Sequence, residues 1–335
     1  MIFLILLLNL VMFKYYKRIA QIINIYDLPL SKRKIHTKKT PLIGGVMLLV
    51  NIIFINIVYF FFKDIYFSDL NKIFRNYNEY FFFLFSSLII FLIGIYDDKK
   101  NLNANLKFVL FFLTLTLSIQ LDQNLLLETI AIKSWNININ LFEFSSFFTV
   151  CCFLLYINAA NMYDGINLQS GPYFFGIYSY ILYQYGFNSF FLTILIFLII
   201  FCLLNAKGKL FFGNSGVYFI SFMTSYIMVK QFNNFQFISI EEIFLIMCMP
   251  GYDMLRLFLV RLYQKQSPFT SDRNHIHHII LRTRSVYFAQ IFIFILTFLP
   301  IFIGSIIGYD YAIILSPFLY IFVFIFFGNY QFRSL

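Results

Sequence analysis

Apolar residues run along this chain in long blocks separated by short polar interruptions. A bilayer core of about 30 Å is crossed by about 20 apolar residues in a helix, and a charged side chain at its centre costs roughly 2.5–3.5 kcal/mol. On that rule the blocks predict membrane helices at roughly 1–22, 42–62, 80–96, 106–121, 145–158, 172–187, 189–205, 215–232, 240–262, 286–304 and 311–328. The predicted fold class is all-α: a polytopic integral membrane helix bundle of about 10–11 transmembrane helices, read as a single transmembrane domain over residues 1–335. The first block is short. Met1 to Phe13 is followed by Lys14, Lys17 and Arg18, a pattern that a signal peptide shares, but no small-residue cleavage site follows and the block is read as an anchor.

The most polar interruption is Asn158 to Gly171, NAANMYDGINLQSG, set between apolar Phe147–Ile157 and Tyr173–Leu182. It exposes amides, one carboxylate and two glycines, which also form ordinary turns.

Composition agrees with the pattern. Of 335 residues, 61% are hydrophobic and 12% charged, with a mean hydropathy of +0.79, which excludes both disorder and a soluble domain. Cys151, Cys152, Cys202 and Cys248 lie inside apolar runs, so neither a disulfide framework nor a metal-ligand spacing is supported. The net charge of +10 is unevenly placed. With the loops alternating between sides, all but Lys63, Lys72, Arg75, Lys133 and Lys230 of the 25 Lys and Arg fall on one side. Cations accumulate on the cytoplasmic side, so the amino terminus is expected outside and the carboxyl terminus inside.

The unusual polar clusters fall on that basic side as well: PLIGG with Gly44 and Gly45, Asp97-Asp98, NAANMYDGIN, GNSG with Asn214, and HIHH. Converging there, they suit an anionic ligand. With no separate soluble domain and no recognisable nucleic-acid module, nucleic acid is not expected and the anion is small or lipid-borne. Adjacent carboxylates Asp97 and Asp98 can hold a hard divalent cation through oxygen, with Lys107 at the start of the next span meeting phosphates held by the same cation. Gly44 and Gly45 let a backbone approach a phosphate, or equally another helix. In SPFTSDRNHIHH, Arg273 with His275, His277 and His278 can bind a diphosphate or a nucleotide base, whereas a zinc site lacks any nearby Cys.

Taken in order, PLIGG, GIYDDKKNLNANLK, NAANMYDGIN, FFGNSG and SPFTSDRNHIHH resemble the signatures of the polyprenyl-phosphate N-acetylhexosamine-1-phosphate transferases, of the glycosyltransferase family 4 type, over about Asp27 to Leu281. MPGYDMLRLFLVR extends the likeness, with Asp253 and Arg256 as a span-embedded acid and base. HIHH looks more like the branch that starts O-antigen, common-antigen or teichoic-acid linkers, closest to the undecaprenyl-phosphate N-acetylglucosamine-1-phosphate transferases.

The resemblance implies a magnesium-dependent enzyme, with manganese as the alternative ion, at the cytoplasmic face of a bacterial inner or plasma membrane. Polyprenyl phosphate attacks a UDP-sugar, giving polyprenyl-diphospho-sugar and UMP, and a homodimer is an allowed assembly. It implies Asp97 as base or substrate positioner and Asp98 as metal-linked. Asp164 with Asn158 and Asn161 orders the nucleotide-diphosphate, and His275, His277 and His278 contact the nucleotide or its phosphates. Two positions depart from the family: Asn167 and Asn214 stand where it commonly has Asp, the latter at its metal ligand, and each swap trades a charged oxygen for a neutral amide.

The alternatives are a membrane transporter and a CDP-alcohol-type phosphotransferase. A transporter would show a repeat between halves and broken helices at matching positions, and no convincing repeat is found. A CDP-alcohol phosphotransferase would follow Asp164-Gly165 with Ala-Arg and two further spaced Asp, which are absent.

Overall fold

The computed structural model describes residues 1–29, 39–235, 237–267 and 272–328. His36 and its basic neighbours, Pro268 to Ser271 of the SPFTSDRNHIHH segment, and Arg333 lie outside the described residues.

The described chain forms α1 (Ile2–Ile23), β1 (Tyr26–Asp27), β2 (Thr40–Pro41), α2 (Gly44–Phe61), α3 (Lys63–Leu70), α4 (Tyr77–Lys100), α5 (Ala104–Leu121), β3 (Thr129–Ile132), β4 (Ile137–Asn140), α6 (Ser145–Tyr163), α7 (Ser170–Tyr185), α8 (Ser189–Asn205), α9 (Gly213–Lys230), α10 (Ile240–Tyr263), α11 (Ile276–Leu281), α12 (Val286–Ile307) and α13 (Tyr309–Gly328). Among the described residues, strands form two small antiparallel pairs, β1 with β2 and β3 with β4. The protein is an all-α, multi-pass membrane bundle.

Every expected span is a helix, but fewer qualify as crossings on their own. Among the described residues, seven helices are long and apolar enough by length and composition: α2, α4, α5, α6 with its preceding turn, α10, α12 and α13. The shortfall has a local cause in each remaining case. α1 carries Lys14, Lys17 and Arg18 in its second half. α7 and α8 have 16 and 17 residues. α9 is polar because it meets protein rather than lipid: every residue from Ser215 to Lys230 is buried. Its Ser221, Thr224 and Ser225 hydroxyls donate to carbonyls four residues back, at 2.6, 2.7 and 3.0 Å, as an apolar setting demands.

Both ends of α9 are fixed. At its carboxyl end Lys230 is fully buried, with Nζ 2.8 Å from Glu79 of α4 and 2.7 Å from Asp122 at the end of α5. Tyr226 donates to the same Asp122 at 2.5 Å, and Asn124 to Glu79 at 2.7 Å, so the buried charges are paired and hydrogen-bonded. At its amino end lies the polar face described below. α1 is held inside the bundle by a reciprocal amide pair, Asn9 with Asn51 of α2, at 2.7 and 3.2 Å. Two polar segments expected as loops are helical instead. α6 runs on to Tyr163 and so carries Asn158 and Asn161, helped by Ala159-Ala160 and by Asn158 Nδ2 donating to the Leu154 carbonyl at 2.7 Å. α4 likewise continues through Asp97 and Asp98 to Lys100, and closes on Asn101 in the left-handed region at φ 51.

Candidate functional site

The sequence clusters assemble as two groups at one end of the bundle. The first is built around the start of α9. Asp98, one turn from the end of α4, accepts the backbone N–H of Asn214 at 2.8 Å on one oxygen and that of Ser215 at 3.0 Å on the other. It thereby caps the amino end of α9 from a neighbouring helix, where exposed N–H groups and the helix dipole favour negative charge. α4 can come this close because Gly94 has no side chain: a Cβ there would stand 2.4 Å from Ser215 Cα. Asp97, next along, turns to α5. Its Oδ2 lies 2.6 Å from Lys107 Nζ and accepts the Tyr218 hydroxyl at 3.1 Å, while its Oδ1 accepts Leu102 N–H at 2.9 Å. Lys107 also donates to Tyr218 at 3.2 Å, so the ammonium is aimed by two partners and stays partly open.

Gly44 and Gly45 belong to this group through packing. Their N–H groups donate to the carbonyls of Phe211 and Phe212, both at 3.1 Å, so those donors are spent on the protein and not offered to a phosphate. A Cβ at Gly45 would stand 2.4 Å from Gly216 N, which makes these glycines the contact that lets α2 and α9 begin side by side.

The second group is the turn after α6. Asp164 Oδ1 accepts the Ser170 hydroxyl at 2.5 Å. Burial pushes its carboxyl up to about 6, and the Ser170 hydrogen bond holds it back from rising further. Leu168 sits in the left-handed region at φ 55, its N–H donating to Asn205 Oδ1 of α8 at 2.6 Å. The His segment forms α11 and packs on this turn. A Cβ at Gly165 would stand 2.0 Å from His277 Nε2, and Gln169 Nε2 lies 3.4 Å from His277 Nδ1. His275 is held from behind by Asp253 of α10, Nδ1 to Oδ2 at 2.8 Å, and the other oxygen of Asp253 takes Ile276 N–H, Arg256 and the Tyr320 hydroxyl. Asp253 and Arg256 therefore orient the histidines. His277 is held well below the usual imidazole range by burial, then by its neighbours His278 and His275. His278 is lowered to about 4 by burial and by the charges of Arg273 and Arg282. Both stay neutral near pH 7. Arg273 is exposed at the edge, and Asn161 is half-buried on the last turn of α6.

The connector from α8 to α9 bridges the two groups. Asn205, which takes Leu168 N–H, donates to the Leu210 carbonyl at 2.9 Å, and the next residue, Phe211, pairs with Leu42 just ahead of Gly44.

Residues 80–231 of this chain, from α4 through α9, match the family model described as glycosyl transferase family 4. The match spans 152 of the chain's 335 residues. Over a longer span the chain is similar to undecaprenyl-phosphate alpha-N-acetylglucosaminyl 1-phosphate transferases. That of Yersinia pestis is 26% identical over 283 residues, 79% of this chain and 72% of the relative. That of Escherichia coli K12 is 26% identical over 282 residues, 79% and 71%. The Thermotoga maritima protein is 25% identical over 260 residues, 75% and 72%.

Among the described residues, no group of three or more His, Cys, Asp or Glu could by itself enclose a metal ion. Asp98 and Asn214 nevertheless stand together, and each Asp98 oxygen, holding one N–H, keeps a lone pair. One carboxylate beside one amide fits magnesium, a hard cation that keeps waters and completes its shell with substrate phosphates. Tyr218, Ser170, Gln169 and Asn205 were missed in the sequence. The first lies in the second turn of α9 and the other three read as turn or helix-end residues, with no spacing to single them out.

Proposed function

We propose that the chain transfers N-acetylhexosamine 1-phosphate from a UDP-sugar to polyprenyl (undecaprenyl) phosphate and releases UMP, the first step in building a cell-envelope polysaccharide. The reading places the reaction at the cytoplasmic face of a bacterial plasma or inner membrane. The observation that carries it is the joint placement of Asp98 on the α9 amino end and of Lys107 on Asp97, inside a segment that matches family 4.

In this reaction a lipid phosphate oxygen forms a bond to the sugar-bearing β-phosphorus as the bond to UMP breaks. The lipid phosphate is already ionised near pH 7, so no strong base is required, and Asp97 is better used to aim Lys107 than to take a proton. Lys107 offers a point charge to phosphate oxygens. Asp98 and Asn214 would hold magnesium, or manganese in its place, which supplies positive charge to the diphosphate. Asp164, with Asn158 and Asn161, accepts and donates hydrogen bonds to the sugar nucleotide. His275, His277 and His278 donate ring N–H groups to nucleotide or phosphate, and Arg273 adds charge at the rim. An apolar groove of about 530 Å³ between α2, α4 and α9, lined by Ile53, Phe60, Leu88 and Phe219 among others, has room for part of the isoprenoid tail on the helix whose far end carries Asp98.

The test is incubation of membranes containing the protein with radiolabelled UDP-sugars and polyprenyl phosphate. Label in a lipid diphosphate together with free UMP is the expected result. Uptake of label without lipid product would point to transport, and labelling that needs a CDP-alcohol donor would point to the other phosphotransferase class.

A further inference from the structure

The first residue of α7 reaches backwards to Asp164. A Ser one position earlier, at the N-cap, could accept an N–H of its own helix, but that place is taken by Gln169. Here α7 has no side-chain cap, and the Ser170 hydroxyl, itself buried, instead donates its proton to Asp164 Oδ1 at 2.5 Å. The acceptor lies six residues upstream, across the turn that also seats His277. No other side-chain hydrogen bond to the Asp164 carboxylate is found among the described residues.

We propose that Ser170 is a positioning residue for the transfer reaction: its hydroxyl fixes the Asp164 carboxylate toward the sugar nucleotide and keeps it ionised at the pH of the cytoplasm. This rests on the proposed transferase reading. A donor to the charged form of an acid favours ionisation, and a sheltered carboxyl with this single donor depends on it. Asp164 is pushed by burial to about 6, so it stands within reach of physiological pH, and loss of the donor moves it closer still.

The groups facing the turn come from four elements. α7 supplies Gln169 besides Ser170, α8 supplies Asn205, and α12 supplies Gln290, whose Nε2 donates to the Asn167 carbonyl at 2.7 Å. α11 supplies His277 against Gly165, with His275 and His278 beyond it and Asp253 behind them; His277 and His278 are both held neutral.

The experiment is the pH dependence of kcat/KM in full-length protein, from pH 5 to 8.5, for wild type, Ser170→Ala, Ser170→Cys and Ser170→Thr. The expected acid limb of wild type has its midpoint near 6. In Ser170→Ala it moves up by about one pH unit, the worth of one hydrogen bond to a charged group, so the deficit is about tenfold below pH 6 and closes above pH 8. Ser170→Cys, a weaker donor, falls between, and Ser170→Thr restores the wild-type midpoint. If Ser170→Ala does not fold, the Cys and Thr pair carries the comparison. Curves that differ only by a constant factor at every pH, or that coincide, overturn the assignment. Wild-type protein that makes no lipid diphosphate at any pH overturns the transferase reading instead.

Discussion

His277 packs against Gly165 so closely that a single added methyl would stand 2.0 Å from its Nε2. Two segments more than a hundred residues apart thus share one surface, and the glycine after Asp164 is what permits it. Gly165→Ala forces His277 or the turn to move, and because His277 is buried it has little room to do so. The expected result is at least about a tenfold loss of transfer, roughly 1.4 kcal/mol in the barrier, with the protein still folded. Size-exclusion and turnover of purified Gly165→Ala check it, and wild-type turnover would show that the contact is incidental.

The Lys230 network makes a prediction about stability. Lys230→Met leaves Glu79 and Asp122 buried without their cation, a loss on the order of 3–5 kcal/mol. Replacing all three at once, with Glu79→Gln and Asp122→Asn, removes the unpaired charge and should recover most of it. Thermal unfolding in detergent of the single and triple variants measures both. A single variant as stable as wild type would mean that the carboxylates are already neutral.

Sidedness is a third expectation. Lys133, in the segment between β3 and β4, should react with an impermeant amine reagent in intact cells, while a tag at the carboxyl terminus stays protected until the membrane is opened. The charge division between loops motivates this. Protection of Lys133 together with labelling at Lys99 would invert the orientation.

The apolar blocks made the bundle legible because membrane crossing imposes a length and a polarity that few sequences meet by chance. The central place of α9 was not legible, since Ser221, Thr224 and Ser225 lower its hydropathy for a reason visible only once its neighbours surround it. Motif spacing located Asp97, Asp98, Asp164 and the histidines, yet not their division of labour. That Asp97 aims Lys107 while Asp98 caps α9 depends on which way two consecutive side chains leave a helix, and on Gly94 letting α9 approach. Gly44 and Gly45 fitted either a phosphate or a helix in the sequence. The Phe211 and Phe212 carbonyls decide for the helix.

Asn214 gives the last prediction, because the charge missing there limits how the site can hold an ion. Its backbone N–H donates to Asp98, and its side chain can offer a cation a neutral amide oxygen but no carboxylate. With Asp97 committed to Lys107, the protein offers Asp98 as its one carboxylate beside that amide, and most of the ion's shell must come from water and substrate phosphates. Magnesium affinity should therefore be weak without nucleotide and rise when the UDP-sugar is present. Asn214→Asp adds a full negative charge next to Asp98 and should tighten magnesium binding in the absence of nucleotide, whereas Asp98→Asn should weaken it and lower transfer at least about tenfold. Turnover of Asn214→Asp can move either way, since an ion held too firmly slows release of UMP, so the deciding measurement is a magnesium titration of the purified protein followed by calorimetry. Coincident titrations of wild type and Asn214→Asp would place the ion away from the amino end of α9.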